Sequence, residues 1–188
     1  MKKIIILILM LGVFGCASKR AYFYQPVETK EPKVFYKDFR ETVRISPVVL
    51  PQIVARPQIT TLGEEDVELI IDEYNRWGTG LDKLIVQVIN DNLSNIFENA
   101  MIVNQSPNKK GYKYDVAIEV KNLNGRLDEY AKLDASYFIK DKNGKVIVSK
   151  DFYKASAFEG KYVEYVKTIS AMLGELSDAI ANDLVNIK

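Results

Sequence analysis

Apolar residues recur along this chain with two different periods, and the places where the period changes mark its elements. Between residues 112 and 121 the even positions Tyr112, Tyr114, Val116, Ile118 and Val120 are apolar or aromatic, while the odd ones are polar apart from Ala117. Successive strand side chains point to opposite faces, so this stretch predicts a strand with one buried and one wet face. Alternation resumes at Leu133, and Asn143-Gly144 is a hairpin dipeptide that predicts a returning strand over residues 146–152. Asn124-Gly125 predicts the preceding turn, which completes a meander. Elsewhere the period lengthens. Leu81, Leu84, Ile85, Val88, Ile89, Leu93, Ile96 and Phe97 stand three or four apart and predict one apolar stripe on a helix of about five turns. Val163, Val166, Ile169, Leu173, Leu176, Ile180, Leu184 and Ile187 predict a second helix over residues 162–187. Thr79, with Asp82 three residues on, is placed to cap the first helix as in a capping box.

Upstream, residues 43–51 read as an extended run that Pro47 interrupts, which places it at a sheet edge or a strand end. Residues 58–61 and 67–71 read as two short strands joined by Gly63-Glu64-Glu65-Asp66, a solvated acidic turn whose carboxylates diverge. Strands with one wet face and two long amphipathic helices predict an α+β, two-layer domain: a mainly antiparallel sheet with both helices on one face. No internal repeat is visible.

The first fifteen residues differ in kind from the rest. Lys2 and Lys3 precede an apolar run from Ile4 to Phe14 that is too short to cross a bilayer needing about 20 residues. It reads as the core of an export signal. The chain's single cysteine, Cys16, follows Gly15 at the end of that core, and Val13-Phe14-Gly15-Cys16 resembles a bacterial lipobox, with Phe14 where a small residue is usual. The lipobox implies cleavage before Cys16, a diacylglycerol thioether on its sulfur and an acyl chain such as palmitate on its nitrogen. At about 0.8 kcal/mol per buried methylene, two or three acyl chains make the anchor permanent. Three segments are therefore expected: residues 1–15 as signal peptide, 16–40 as lipidated N-terminus and tether, and 41–188 as the folded domain. An extended tether would let the domain stand off the membrane by some tens of ångströms, although Tyr22-Phe23-Tyr24 and Val34-Phe35-Tyr36 are too aromatic for a solvated linker. One of the two is expected to dock on a sheet edge.

Composition narrows the chemistry. The 188 residues carry 26 Lys+Arg against 25 Asp+Glu, so no overall charge draws the chain to nucleic acid. Histidine is absent, which removes Ser-His-Asp and Cys-His catalysis and nearly every common catalytic zinc site. Gly78-Thr79-Gly80 precedes a helix, but Lys83 stands where a dinucleotide fingerprint needs its third glycine. Lys109-Lys110 and Ser106-Pro107-Asn108 read as a solvated loop. No pair of carboxylates stands apart from its neighbours, and neither metal nor diffusible cofactor is expected.

An ordered set of short elements carries a resemblance. Leu50-Pro51-Gln52, then Arg56-Pro57-Gln58-Ile59, then Arg76-Trp77 ahead of Leu81, then Asp91-Asn92-Leu93, with the meander and Leu176-Ser177-Asp178-Ala179-Ile180-Ala181 following in order, resemble the ABC-type transport auxiliary lipoproteins, the PqiC family. Thr61-Leu62 departs from the pattern, since an arginine would be expected there. The resemblance implies a non-enzymatic lipoprotein of an MCE-type lipid transport system, with a separate ATPase supplying the energy. Its expected partners are a periplasmic MCE-domain tunnel protein, the outer membrane through the Cys16 lipid, and further copies of itself in a ring. It singles out Arg56, Arg76 and Trp77. For Trp77 and Arg56 the residues allow two roles, packing under the first helix and pinning an extended segment, or anchoring a partner interface. Two other classes stay open on sequence: an envelope assembly accessory, such as a peptidoglycan synthase activator or lipopolysaccharide assembly factor, and a carboxylate-dependent hydrolase.

Overall fold

The meander is the centre of the architecture, since its three long antiparallel strands make up most of the larger sheet. The computed structural model describes residues 19–29, 32–104 and 111–187. Cys16, the signal segment and the Ser106 to Lys110 loop lie outside the described residues. The elements run β1 (Tyr22–Tyr24), β2 (Thr42–Ile45), β3 (Gln58–Leu62), β4 (Leu69–Trp77), α1 (Leu81–Ile96), β5 (Met101–Asn104), β6 (Tyr114–Arg126), β7 (Tyr130–Asp141), β8 (Val146–Ala157) and α2 (Tyr162–Asn186). They form an α+β fold of two sheets and two helices. The large sheet has the order β5-β2-β6-β7-β8 and the small one β1-β4-β3. β6, β7 and β8 are antiparallel, as are β3 and β4. β2 runs parallel to both its neighbours and β1 runs parallel to β4. The sheet layer is thus mixed and divided, a feature set by crossovers that alternation along a strand does not report.

Val43, Ile45, Val116, Ile118, Val120, Leu133, Ala135 and Ile139 turn inward and share one core with the stripes of both helices, including Ile85, Ile89, Leu93, Ile169, Leu173, Leu176 and Ile180. β2 stops at Ile45, just short of Pro47, so the proline marks a strand end; β2 itself lies inside the sheet.

Two local expectations are corrected. Asn124-Gly125 is not a turn: β6 runs through it to Arg126. A bulge between Val120 and Asn122 shifts the pattern by one, so that Leu123 and Gly125 are buried where even-numbered residues were before. Gly125 is required there because a Cβ would strike the Tyr130 carbonyl and the Ala131 backbone. The turn lies beyond, where Asp128 adopts a φ of 67° and its Oδ1 accepts the Gly160 N–H at 2.7 Å. At α1, Gly80 and not Thr79 occupies the cap position, with φ −56° and ψ 127°, and no side chain caps the helix. Thr79 stands one residue too early to reach the first turn. Asp82 still lies in that turn, where a carboxylate favours the helix dipole.

Within the segment expected as the tether, strand pairing already starts at Tyr22. β1 pairs with β4 in register Tyr22 to Asn75, Phe23 to Arg76 and Tyr24 to Trp77. Tyr22-Phe23-Tyr24 is thus the aromatic cluster that docks on a sheet edge. Beyond it the chain lies as a strap over the helix pair. Val27 N–H donates to Ser170 Oγ at 3.1 Å, Thr29 N–H to Asn92 Oδ1 at 2.7 Å and Tyr36 N–H to the Ile96 carbonyl at 3.0 Å. Phe39 stacks on Phe97 with ring centroids 4.4 Å apart. These contacts spend the length that would have let the domain stand off the membrane.

Candidate functional site

The three residues singled out by sequence meet where the small sheet hands over to α1. Arg56 and Pro57 lead into β3, and Arg76 and Trp77 end β4. The Trp77 N–H donates to the Pro57 carbonyl at 2.8 Å, and the Gly78 N–H to the Tyr24 carbonyl at 2.7 Å. Trp77 is 5% exposed and belongs to the central core. The indole is thus a core side chain in this body, with little of its surface open to a partner. Arg56 and Arg76 are half-buried. Arg76 sits opposite Gln58 on one side and Phe23 on the other. The Arg56 Nε is enclosed without a hydrogen-bond partner among the described residues. The cations available at this corner are therefore Arg56 and Arg76.

A carboxylate ties the corner together. β4 bulges between Asp72, opposite Ile59, and Arg76, opposite Gln58. Asp72 Oδ1 accepts the N–H groups of Tyr74 at 2.7 Å and Asn75 at 3.0 Å, closing the bulge as an Asx-type turn. Its Oδ2 accepts from the Asn75 side chain at 3.0 Å and the Tyr162 hydroxyl at 2.9 Å, and Tyr24 OH donates to Asn75 Oδ1 at 2.7 Å. Burial alone would raise the Asp72 pKa, but these donors to the anion outweigh it and hold the carboxyl below its usual range. Burial, and then the Asp72 carboxylate, push the Tyr162 hydroxyl upward. β1, the bulge and the start of α2 are thereby locked into one body.

The remaining buried carboxylates are equally committed. Asp115 accepts from Arg44 Nε at 2.8 Å, Arg44 Nη2 at 2.9 Å and Ser46 Oγ at 2.8 Å, while the guanidinium lies 4.0 Å from the Tyr112 ring centroid. Burial pulls the Asp115 pKa upward, and the bonds from Arg44 and Ser46 pull it further down. Asp183 on α2 accepts from Tyr137 OH at 2.7 Å and Lys150 Nζ at 2.6 Å, which clamps the helix to β7 and β8. Among the described residues no group of three or more cysteine, histidine, aspartate or glutamate side chains converges as a metal site. An open groove of about 490 Å³ runs between Pro47, Val48 and the first turns of α1. It contains none of Arg56, Arg76 and Trp77.

The surface instead shows an apolar stretch that sequence reasoning passed over. Leu69, Ile70 and Ile71 on β4 are 46%, 42% and 39% exposed, and among the described residues this part of β4 pairs only with β3. Tyr22, Phe23 and Tyr74 are exposed beside it. An unpaired strand edge carrying apolar side chains is a ready site for protein association. The signal was present in the sequence as Leu69-Ile70-Ile71, but such a run reads equally well as a buried strand.

Comparison with known proteins agrees with this architecture. The family model for the ABC-type transport auxiliary lipoprotein component matches residues 25–181. No curated protein matches. A crystal structure of an uncharacterized protein superposes with a TM-score of 0.69 at 19% identity, covering 82% of this chain and 99% of that one. A Xanthomonas campestris protein assigned to the DUF330 family superposes with a TM-score of 0.68 at 11% identity, over 85% and 92% of the two chains. Since the family match starts in the strap and ends in α2, taking in every element but β1 and the end of α2, the chain belongs to the ABC-type transport auxiliary lipoprotein component family.

Proposed function

We propose that this lipoprotein is the outer-membrane-anchored, periplasm-facing accessory of an MCE-type lipid transport system, and that it acts by binding protein rather than by catalysis. It docks on the periplasmic MCE-domain tunnel protein as a ring of several copies, while a separate ABC ATPase drives transport. Family membership across residues 25–181 is the observation that carries this reading. Two features of the chain support it. The exposed Leu69-Ile70-Ile71 edge, with Arg56 and Arg76 at the neighbouring corner, supplies the apolar centre and cationic rim that protein interfaces favour. Ala17 after Cys16, in place of aspartate, suits export to the outer membrane under the sorting rule of enteric bacteria.

The test is co-purification of the full-length lipidated protein, extracted in mild detergent, with an MCE-domain protein of the same organism. Capture of that protein is expected. No capture, together with a monomeric mass at high concentration, would move the assignment to an envelope assembly accessory.

A further inference from the structure

The lipid anchor and the folded body are separated by very little chain. Lys19, the first described residue, has its Nζ 5.3 Å from the Tyr74 ring centroid, and Arg20 lies 5.8 Å from that of Tyr22. Cys16 is only three residues before Lys19, a reach of at most about 11 Å even when fully extended. The surface around Lys19 therefore cannot stand far from the bilayer that holds the acyl chains. That surface has a distinct chemistry. Phe23 is 66% exposed, Tyr22 53% and Tyr74 42%. Lys19 and Arg20 flank these rings, and Arg76 lies opposite Phe23 on β4. The two carboxylates nearest in the chain have other partners: Asp72 is turned into its bulge, and Glu73 accepts from Gln58 at 3.0 Å. Exposed aromatic rings beside lysine and arginine match the headgroup level of a membrane, where an amphipathic ring and a snorkelling cation are both satisfied.

We propose that the face formed by Lys19, Arg20, Tyr22, Phe23 and Tyr74 is a membrane-contacting face, seated in the headgroup layer of the leaflet that holds the Cys16 lipid. This rests on the lipid-anchor reading. It replaces a domain swinging on a tether with one held flush and in fixed orientation. The docking of β1 makes that orientation rigid, since β1 is paired to β4 and Tyr24 is bonded to Asn75.

The experiment uses full-length lipidated protein reconstituted in vesicles of phosphatidylethanolamine and phosphatidylglycerol. Because the Cys16 sulfur is consumed in the thioether, one introduced cysteine is the only free thiol and takes a nitroxide label. Phe23→Cys and Tyr74→Cys report on the proposed face. Tyr153→Cys on β8 is the control, since Tyr153 is 67% exposed and thus matches Phe23 in the isolated body. A water-soluble nickel chelate should relax labels at 23 and 74 several-fold less than at 153, whereas a nickel chelate carried on lipid headgroups should relax them several-fold more. Equal relaxation at 23 and 153, in protein that floats with the vesicles, overturns the membrane-facing assignment while leaving the anchor intact. Protection from both probes also overturns it and shows that a second copy covers the patch. Protein that does not float with the vesicles overturns the anchor reading itself and this assignment with it.

Discussion

Asn92→Ala tests the joint on which the strap depends. Asn92 is 2% exposed, between the helices. Its Oδ1 accepts the Thr29 N–H at 2.7 Å, and its Nδ2 donates to Ser177 Oγ at 3.1 Å, itself bonded to the Leu173 carbonyl. Truncation removes both bonds, each contributing about 1 kcal/mol net, and leaves a void of three heavy atoms that adds about another 1 kcal/mol. The expected loss is thus about 3 kcal/mol. With a urea m-value of about 2 kcal/mol/M for a domain of this size, the midpoint should fall by roughly 1.5 M. Native-state hydrogen exchange adds a local reading: the amides of Val27 and Thr29 should exchange faster than those of β6 and β7, because the strap loosens before the core opens. A midpoint within about 0.3 M of the parent would refute the energetic reasoning. A full loss of stability with unchanged exchange at Val27 and Thr29 would show instead that Asn92 serves the helix pair alone.

Three further outcomes follow from the same structure. Asp115 has a folded-state pKa below its unfolded one, so its contribution is present above the ordinary carboxylate range and is lost as pH falls through the folded value. Asp115→Asn should therefore destabilise by about 1 to 2 kcal/mol at neutral pH, moderated by solvent at the Arg44 guanidinium, with the gap to the parent closing below about pH 4 in urea melts. Leu69→Asp, at an exposed position, should leave stability within about 0.5 kcal/mol in the same melts yet abolish co-purification with the MCE-domain protein. Cys16→Ser should prevent incorporation of labelled palmitate and leave the product unprocessed or released from membrane fractions.

What the sequence discloses here depends on how local the governing physics is. The helices and the meander are legible because each stripe or alternation is set by residues a few positions apart, as with Val116, Ile118 and Val120 or Leu84 and Val88. The bulge after Val120 defeats the pattern, since one extra residue reverses every later side chain and makes Asn124-Gly125 resemble a turn. Long-range relations were illegible: parallel pairing of β2 with β6 spans the intervening β3, β4, α1 and β5, and no residue of β2 announces it. The strap is a similar case. Asn92 and Ser170 look like ordinary polar breaks in helical stripes until Thr29 and Val27 are laid across them. Of the residues proposed for the site, Trp77 was legible as a packing residue through its place before the helix. The exposure of Leu69-Ile70-Ile71 was not legible, because whether an apolar run is covered depends on its neighbours in space.

Native mass measurement of the complex with the MCE-domain protein tests the central claim most directly. The full-length lipidated protein, co-expressed with an MCE-domain protein of the same organism and released in mild detergent, should give one species holding several copies of this chain on one MCE assembly, as a capping ring requires. Separate masses for the two proteins, or a single copy bound per assembly, would contradict the account.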